Sequence, residues 1–360
     1  MLVNFTMKRV VVVIVVFVGV LLCSIADAVR GVSVSCMVAY EEGGVRAVFS
    51  SPECPQWVLC AEPSKNMSKN CQFATLQGHR KYQEDRVTCN LDMKLPFSGE
   101  GGPEEITIGI AAIFDGHGGE EASEMASRKL SGYFLIHSVF IAYKRALSGD
   151  KENHVPLIGH RSLPSILEEA LLRTIQDIDT EFSKEAFERR CVSGSTATIV
   201  LLVNGEFLIA NVGDSKAILC SKKGSSLGEV YAEELTKDHH PDREDEKTRI
   251  EAAGGFVTKS SIPRVNGVLA VSRAIGDVFL KRYGVTAEPE VTGWRPFSPE
   301  DMYLVVASDG IFETLNSQNV CDLLDDKASS SSLSDRIVRS AFRTGSTDNL
   351  SVIVISDLHN

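Results

Sequence analysis

Residues 196–212, TATIVLLVNGEFLIANV, are the most informative stretch of this sequence for its fold. Two runs of β-branched and apolar residues lie on either side of Asn204-Gly205, which is the strongest short-range signal for a β-hairpin. The pattern predicts strands over residues 196–203 and 206–212, joined by a tight turn. We expect a third strand, residues 216–221, to continue the same meander.

Further strands and helices are predicted on both sides of this hairpin. Apolar runs predict strands at residues 86–90, 106–114, 302–307 and 351–356. Apolar residues at helical spacing predict a helix over residues 165–182, and Ser165 with Glu168 forms a capping-box pattern at its start. Other helices are predicted from Gly119 to about Tyr143 and over residues 243–253. Sequential hairpins with separate helices favour an α+β sandwich over a parallel doubly wound sheet.

Composition places the chain among ordinary globular proteins. Of its 360 residues, 43% are hydrophobic and 24% are charged, which excludes disorder, collagen and coiled coil as the main structure. The formal net charge is −11 and the pI is about 5.3. A nucleic-acid partner usually requires a basic face, so we expect none.

The N-terminal residues 1–28 have the pattern of a signal peptide or a membrane anchor. Lys8-Arg9 precedes an almost purely apolar run over residues 10–22, and Ala26-Asp27-Ala28 has the small-x-small form of a cleavage site. The apolar run is at the lower limit for a membrane span, and its valine content also suits a buried strand. We predict membrane association through residues 8–26, with cleavage left open.

Residues 29–71 are predicted to be a cysteine-containing linker. They hold Cys36, Cys54, Cys60 and Cys71. The four could pair with one another in an oxidising compartment or remain free thiols, and both alternatives stay open. Their spacing does not match a zinc knuckle.

Acidic residues recur where the predicted strands end. The corners are Glu84-Asp85, Asp115-Gly116, Asp214, Asp309 and Asp348. Any one of them could be a simple turn. Strand ends can converge at one edge of a sandwich, however, and carboxylates brought together there would repel one another unless cations neutralised them. Hard divalent cations prefer oxygen ligands, so the set predicts a metal centre.

The whole set of motifs resembles the metal-dependent serine/threonine protein phosphatases of type 2C. The matching stretches in order are GHRKYQED from Gly78, FDGHGG from Phe114, SGSTA from Ser193, NVGDS from Asn211, LAVSRAIGD from Leu269, ASDG from Ala307 and TDN from Thr347. The resemblance implies a catalytic domain over residues 72–358, with a flap at about 222–269. It also implies a four-layer αββα sandwich: two antiparallel sheets flanked by helices, with the metals at one edge.

The resemblance also implies roles for individual residues. Two Mg²⁺ or Mn²⁺ ions would be held by Asp115, the Gly116 carbonyl, Glu84, Asp85, Asp309 and Asp348. Asp214 would help to hold a weaker third ion. Glu313 stands where the family usually has an aspartate for that ion, so the third site is expected to be shifted or weaker. Arg80 would hold the substrate phosphate, and His117 would be the general acid.

The implied reaction is hydrolysis of phosphoserine and phosphothreonine in proteins. A metal-bridged hydroxide attacks phosphorus, and His117 protonates the leaving oxygen. An alternative is a catalytically weak pseudophosphatase that binds phosphoproteins as a scaffold, and another is a phosphoesterase acting on nucleotides or small molecules. Because the acidic positions are intact, the active protein phosphatase is favoured. We expect a monomer.

Location is predicted from the N-terminus as the membrane or secretory pathway, with cytoplasm or nucleus as the alternative. The sequence Asn349-Leu350-Ser351 is a glycosylation sequon beside Asp348, where a glycan would obstruct the site. Asn66-Met67-Ser68 is a second sequon, which would be harmless.

Overall fold

A computed structural model describes residues 70–99, 102–148, 163–222, 229–325 and 332–358. The predicted N-terminal segment, all of the linker except residues 70 and 71, and residues 223–228 of the predicted flap lie outside the described residues. The described residues belong to one compact unit.

One antiparallel sheet is built around the predicted hairpin. Its strands follow the order β11-β7-β6-β3-β2, and β12 pairs with β7. The bounds are Arg86–Gly99 for β2, Gly102–Phe114 for β3, Ala197–Val203 for β6, Glu206–Val212 for β7, Glu290–Val291 for β11 and Arg295–Pro296 for β12. Asn204 and Gly205 both have positive φ, as the two-residue hairpin turn requires. The hairpin prediction is confirmed.

The second sheet contains five strands in the order β1-β14-β13-β8-β9. The bounds are Cys71–Leu76 for β1, Lys216–Lys222 for β8, Val230–Glu234 for β9, Asp301–Ala307 for β13 and Leu350–Ile355 for β14. A third, small sheet joins β4 (Gly116–His117), β5 (Gly194–Ser195) and β10 (Ile275–Gly276) in the order β10-β5-β4. Every pairing within the three sheets is antiparallel.

Helices cover the outer faces of the two large sheets. The bounds are Glu121–Ser148 for α1, Leu163–Arg189 for α2, Glu244–Ala252 for α3, Asp309–Phe312 for α4, Ser317–Asp325 for α5 and Leu333–Arg343 for α6. Helices α1 and α2 pack together, with α1 on β2 and β3, while α5 and α6 pack on β9, β14 and β1. The predicted αββα sandwich is confirmed.

Alternating residues of the five-stranded sheet divide its apolar side chains between two cores. Leu304 and Val306 of β13 face the core between the sheets, whereas Val305 and Ala307 face the helices. Strand β14 divides its residues in the same way. Burial on both faces explains why these strands are apolar throughout.

Two local predictions were wrong. Strand β8 does not continue the β6-β7 meander, because it pairs with β13 and β9 in the other sheet. Its residues are buried on both faces, so their pattern cannot show which sheet it joins. Ser165 does not cap its helix, since α2 begins two residues earlier, at Leu163.

Disulfides connect segments that are distant in sequence. Cys71 pairs with Cys89 of β2, and Cys220 of β8 pairs with Cys321 of α5. The expectation that Cys71 either pairs within the linker or stays free was therefore wrong, because β1 places it against the other sheet. Cys36, Cys54 and Cys60 lie outside the described residues. Within the part of the chain that the structure describes, no helix combines the length and apolar character needed to cross a membrane.

Candidate active site

Acidic side chains from several strand ends meet at one edge of the sandwich. Asp115 follows β3, Asp214 lies where the chain crosses from β7 to β8, and Asp309 follows β13. Asp348 precedes β14, and Asp85 precedes β2. The negative charges of neighbouring aspartates raise the pKa values of Asp85, Asp115, Asp214 and Asp309, which requires that these acids lie close together.

Asp115 and Asp309 form the centre of this cluster. The charge of Asp309 raises the pKa of Asp115, so the two carboxyls lie close to each other. Burial raises the pKa of both groups. The charges of Asp85 and Asp214 raise the pKa of Asp115 further, and that of Asp348 raises the pKa of Asp309.

Asp85 lies beneath this pair and is only 2% exposed. Ser308 Oγ donates a hydrogen bond to its Oδ2 at 3.0 Å. Its Oδ1 is buried and has no hydrogen-bond partner among the described residues. Burial raises the pKa of Asp85 to about 7, and the charges of Asp309 and Asp348 act in the same direction, while the hydroxyls of Ser351 and Ser308 oppose the rise.

Asp214 occupies the crossing between the two large sheets. The hydroxyls of Thr196 and Ser215 lie 2.9 Å apart and join the residue before β6 to this crossing. Burial raises the pKa of Asp214 to about 7, and the charge of Asp309 adds to the effect, while His240 opposes it. Asp214, one of the predicted metal ligands, therefore lies in the connection that leads to β8, the strand that the sequence analysis assigned to the wrong sheet.

Arg80 lies at the rim of the acidic cluster. Its Nη2 donates to Asp348 Oδ2 at 2.5 Å, and its side chain is 55% exposed. Burial lowers the pKa of Arg80, but the neighbouring carboxylates of Asp348, Asp309 and Asp115 outweigh that effect and raise it. The guanidinium thus remains a charged fork that can reach solvent and an oxyanion.

Glu84 and His117 complete the predicted set. Glu84 Oε1 accepts a hydrogen bond from the Gly119 N–H at 2.7 Å. His117 Nε2 lies 2.7 Å from Asp277 Oδ2. Burial disfavours the charged imidazole, but the hydrogen bond and charge of Asp277 outweigh burial and raise the pKa of His117; Asp214 and Glu84 also contribute.

Glu313 is placed differently from the other candidates. Its Oε2 accepts hydrogen bonds from Ser346 Oγ and the Thr347 N–H, both at 2.9 Å. The side chain therefore supports the loop that carries Asp348, while its charge still contributes to the raised pKa of Asp309. Its role at a third metal stays a prediction.

Asn349 connects two segments of the site, although the sequence analysis gave it no role beyond its place in the TDN motif and in a sequon. Its Oδ1 accepts the Glu84 N–H at 2.8 Å, and its Nδ2 donates to the carbonyls of Gln77 and Tyr82. It therefore binds the segment carrying Arg80 and Glu84 to the segment carrying Asp348. Its position in the TDN motif, next to an acidic candidate, was the available signal.

A second group of acids, Asp245, Glu246 and Glu290, lies outside this edge. Arg243, Arg249 and Arg273 donate hydrogen bonds to it. These guanidinium groups already neutralise the carboxylates, so we interpret the group as an ion-pair network that supports the fold.

The acidic edge fits divalent cations. Its donors are all oxygens, several of its carboxyls have raised pKa values, and Asp85 Oδ1 lacks a partner among the described residues. Hard cations would remove the repulsion that raises these pKa values.

Comparisons with known proteins agree with this geometry. The family model for protein phosphatase 2C matches residues 70–350. The chain is 42% identical to Probable protein phosphatase 2C 51 of Arabidopsis thaliana, covering 91% of this chain and 79% of that protein. It is 37% identical to Putative protein phosphatase 2C 76 of Oryza sativa subsp. japonica, covering 90% and 85%.

Solved structures support the same fold. The serine-threonine phosphatase 2C from Toxoplasma gondii superposes with a TM-score of 0.66 at 22% identity, covering 79% of this chain and 94% of that one. A C. elegans sex determining protein superposes with a TM-score of 0.62 at 27% identity, covering 79% and 64%. The chain belongs to the protein phosphatase 2C family, whose members are metal-dependent enzymes acting on phosphoproteins, and it is a protein-serine/threonine phosphatase.

Proposed function

We propose that this enzyme hydrolyses phosphoserine and phosphothreonine in proteins with two Mg²⁺ or Mn²⁺ ions at the acidic edge. The groups proposed to hold them are the side chains of Glu84, Asp85, Asp115, Asp309 and Asp348 and the carbonyl of Gly116. Because one chain contributes every one of these groups, we propose that the enzyme acts as a monomer.

The observation that carries this proposal is that the positively charged Arg80 side chain lies at the rim of the acidic cluster. The carboxyls of Asp85, Asp115 and Asp309 have raised pKa values, so the cluster is short of positive charge. Arg80 lies beside it with an exposed side chain. A phosphate dianion can be held between cations in the cluster and this guanidinium fork.

The residues then have separate tasks. Bound cations would supply Lewis acidity that activates a water and offsets phosphate charge. Arg80 binds and orients the phosphate oxygens, and its charge stabilises the transition state. His117 holds a proton for the oxygen that leaves with the serine or threonine. Asn349 keeps the segments of Arg80 and Asp348 in register.

A third, weaker cation is proposed beside Asp214. The raised pKa of this carboxyl supports the proposal, because a nearby cation would offset its burial. Glu313 would join the site only by giving up its contacts with Ser346 and Thr347. That cost favours weaker binding than at the first two sites.

Phosphate release from a phosphothreonine peptide tests the proposal. The full chain should release phosphate with Mn²⁺ or Mg²⁺ and lose activity with chelator. Asp115→Asn should lose it in both conditions, because it removes the central carboxylate. Asp357→Asn, an exposed residue after β14, is the control. Release without metal would overturn the metal-dependent reaction. Peptide binding without release would support the scaffold alternative instead.

We also propose that the enzyme is in the secretory pathway, attached to a membrane through residues 8–26. The N-terminal pattern supports this, and so do the cysteine pairs Cys71–Cys89 and Cys220–Cys321, since disulfides persist mainly in oxidising compartments. Thiol alkylation of enzyme isolated from cells, in denaturant and without reductant, should leave these four cysteines unmodified. Four reactive thiols would instead favour cytoplasm or nucleus.

The burial of Asn349 limits where the enzyme can be glycosylated in the secretory pathway. It is 5% exposed, and its Nδ2 donates to two carbonyls, so a glycan on that nitrogen is incompatible with the folded site. Of the two sequons at Asn66 and Asn349, the proposed location therefore allows a glycan at Asn66 only. A glycosidase should reduce the mass of the enzyme, and Asn66→Gln should abolish that change. No mass change in the unsubstituted enzyme would overturn the lumenal location.

A further inference from the structure

The small sheet β10-β5-β4 brings another acid onto the general-acid candidate. His117 of β4 pairs with Gly194 of β5, and Gly194 pairs with Gly276 of β10. Asp277 follows Gly276 directly. The register therefore places His117 and Asp277 on either side of Gly194.

The two side chains meet above Gly194. His117 Nε2 lies 2.7 Å from Asp277 Oδ2, and Asp277 is 8% exposed. Within the described ranges, His117 is the only side chain hydrogen-bonded to this carboxylate. A Cβ at Gly194 would lie 2.0 Å from Asp277 Oδ2 and 2.4 Å from His117 Nε2. The contact is possible because residue 194 has no side chain.

The backbone holds Asp277 in an uncommon conformation. Its φ is +49°, in the left-handed region. Its N–H donates to the Ser193 carbonyl at 3.2 Å, and its carbonyl accepts the Leu280 N–H at 2.8 Å. Asp179 of α2 accepts the Gly276 N–H at 2.8 Å. Such a conformation persists when neighbours determine it, and it is concentrated at functional sites.

We propose that Asp277 is the positioning residue of the general acid, accepting the Nε2–H of His117 so that Nδ1 faces the leaving oxygen. This rests on the proposed function, in which His117 is the proton donor. A carboxylate on one ring nitrogen sets the tautomer and the orientation of the ring. Among the described residues, no hydrogen bond to His117 Nδ1 is found, so this nitrogen is available to substrate.

The proton step balances in this arrangement. The electron pair of the breaking P–O bond goes to the seryl or threonyl oxygen, which takes the proton from His117 Nδ1. The ring becomes neutral, and its Nε2–H remains on Asp277. Asp277 does not touch the substrate, so it acts only through His117.

Two substrates that differ in their leaving group test the role in the full chain with Mn²⁺. A phosphothreonine peptide releases an alkoxide that needs a proton, whereas p-nitrophenyl phosphate releases a phenolate that does not. Asp277→Asn keeps the side-chain shape and tolerates positive φ. It should lower kcat for the peptide by about 10-fold or more, and kcat for p-nitrophenyl phosphate by less than about 2-fold, as expected for impaired general-acid catalysis.

Two further variants are controls for misfolding and for effects that are unrelated to the contact between His117 and Asp277. Gly194→Ala directs a methyl group against the same contact and should reproduce the selective loss. Asp357→Asn replaces another aspartate with positive φ, +54°, which is exposed and follows β14. It should leave both substrates unchanged.

The possible outcomes separate this inference from the proposed function. The positioning role would be overturned if folded Asp277→Asn lowered kcat equally for both substrates. It would also be overturned if kcat for the peptide did not fall. His117→Gln should itself show the selective loss. If it does not, the general-acid proposal fails; if it does and Asp277→Asn does not, only the inference about Asp277 fails.

Discussion

At the residue scale, Gly78 controls how closely two parts of the site approach. A Cβ at this position would lie 2.0 Å from the Asp348 carbonyl oxygen, and φ is +63°. The neighbouring His79 N–H donates to the Thr347 carbonyl at 3.2 Å. Arg80 therefore reaches Asp348 because the chain before it packs directly on the backbone beside this acid.

Gly78→Ala should lower the free energy of unfolding by more than the same substitution at a glycine with open surroundings. Gly293 has φ +75° and nothing within 4 Å of its Cβ position, which makes it the matched control. The left-handed conformation alone should cost each variant about 1–2 kcal/mol. The clash at Gly78 should add about 1–3 kcal/mol and reduce phosphate release. The free energies of unfolding can be compared by urea unfolding. If they fell equally in the two variants, the predicted clash at Gly78 would be contradicted.

At the element scale, helix α3 is attached through one buried acid. Glu246 is fully buried, and Arg243, Arg249 and Arg273 all donate hydrogen bonds to it. Burial alone would raise the pKa of Glu246, but the hydrogen bonds from Arg249, Arg273 and Ser272 lower it strongly. The predicted flap is therefore connected to the segment leading into β10, and hence to Asp277, by ion pairs.

Glu246→Gln should destabilise the protein by about 3–5 kcal/mol, because it leaves the arginines without their buried counter-charge. Glu251→Gln lies on an exposed position of the same helix and should change stability by less than about 0.5 kcal/mol. Urea unfolding of the two variants gives the comparison. A small effect at Glu246 would mean that Arg243 and Arg273 are satisfied by Glu290 alone.

At the scale of the whole molecule, folding gathers acids that repel one another. The ordinary pKa of an aspartate, 3.8, rises to about 7 for both Asp85 and Asp214. A carboxyl whose folded pKa is raised stabilises the fold below its unfolded pKa. That contribution is lost as pH rises through the folded value. Without cations, the cluster should therefore weaken the fold between about pH 4 and 7.

Asp85→Asn should make this effect measurable in chelator. Its free energy of unfolding should rise relative to the unsubstituted protein as pH increases from about 4 to 7. This difference in free energy of unfolding should reach a few kcal/mol, since one pKa unit is worth about 1.4 kcal/mol. Saturating Mn²⁺ should remove the advantage, because cations neutralise Asp85 in the unsubstituted protein. A pH-independent difference in chelator would contradict this reading of the acidic edge.

Much of the site could be predicted because its residues lie in short motifs at strand ends. Asp115, Asp214, Asp309 and Asp348 were all placed at one edge in advance. The roles of Asp277 and Asn349 were not predicted, since their partners are 160 and 265 residues away in sequence. Nothing in the spacing of Asp277 indicates that a two-residue strand pairing puts it against His117.

The sequence by itself determined the local elements: the Asn204-Gly205 hairpin, the apolar strands and helices, and an acid at each relevant strand end. These follow from turn chemistry and hydrophobic patterning, which act over a few residues. The tertiary structure alone decided that β8 joins the second sheet, that Cys71 pairs with Cys89, and that three arginines surround Glu246. Such contacts depend on how whole layers pack, because burial on both faces gives a strand no local preference between two sheets.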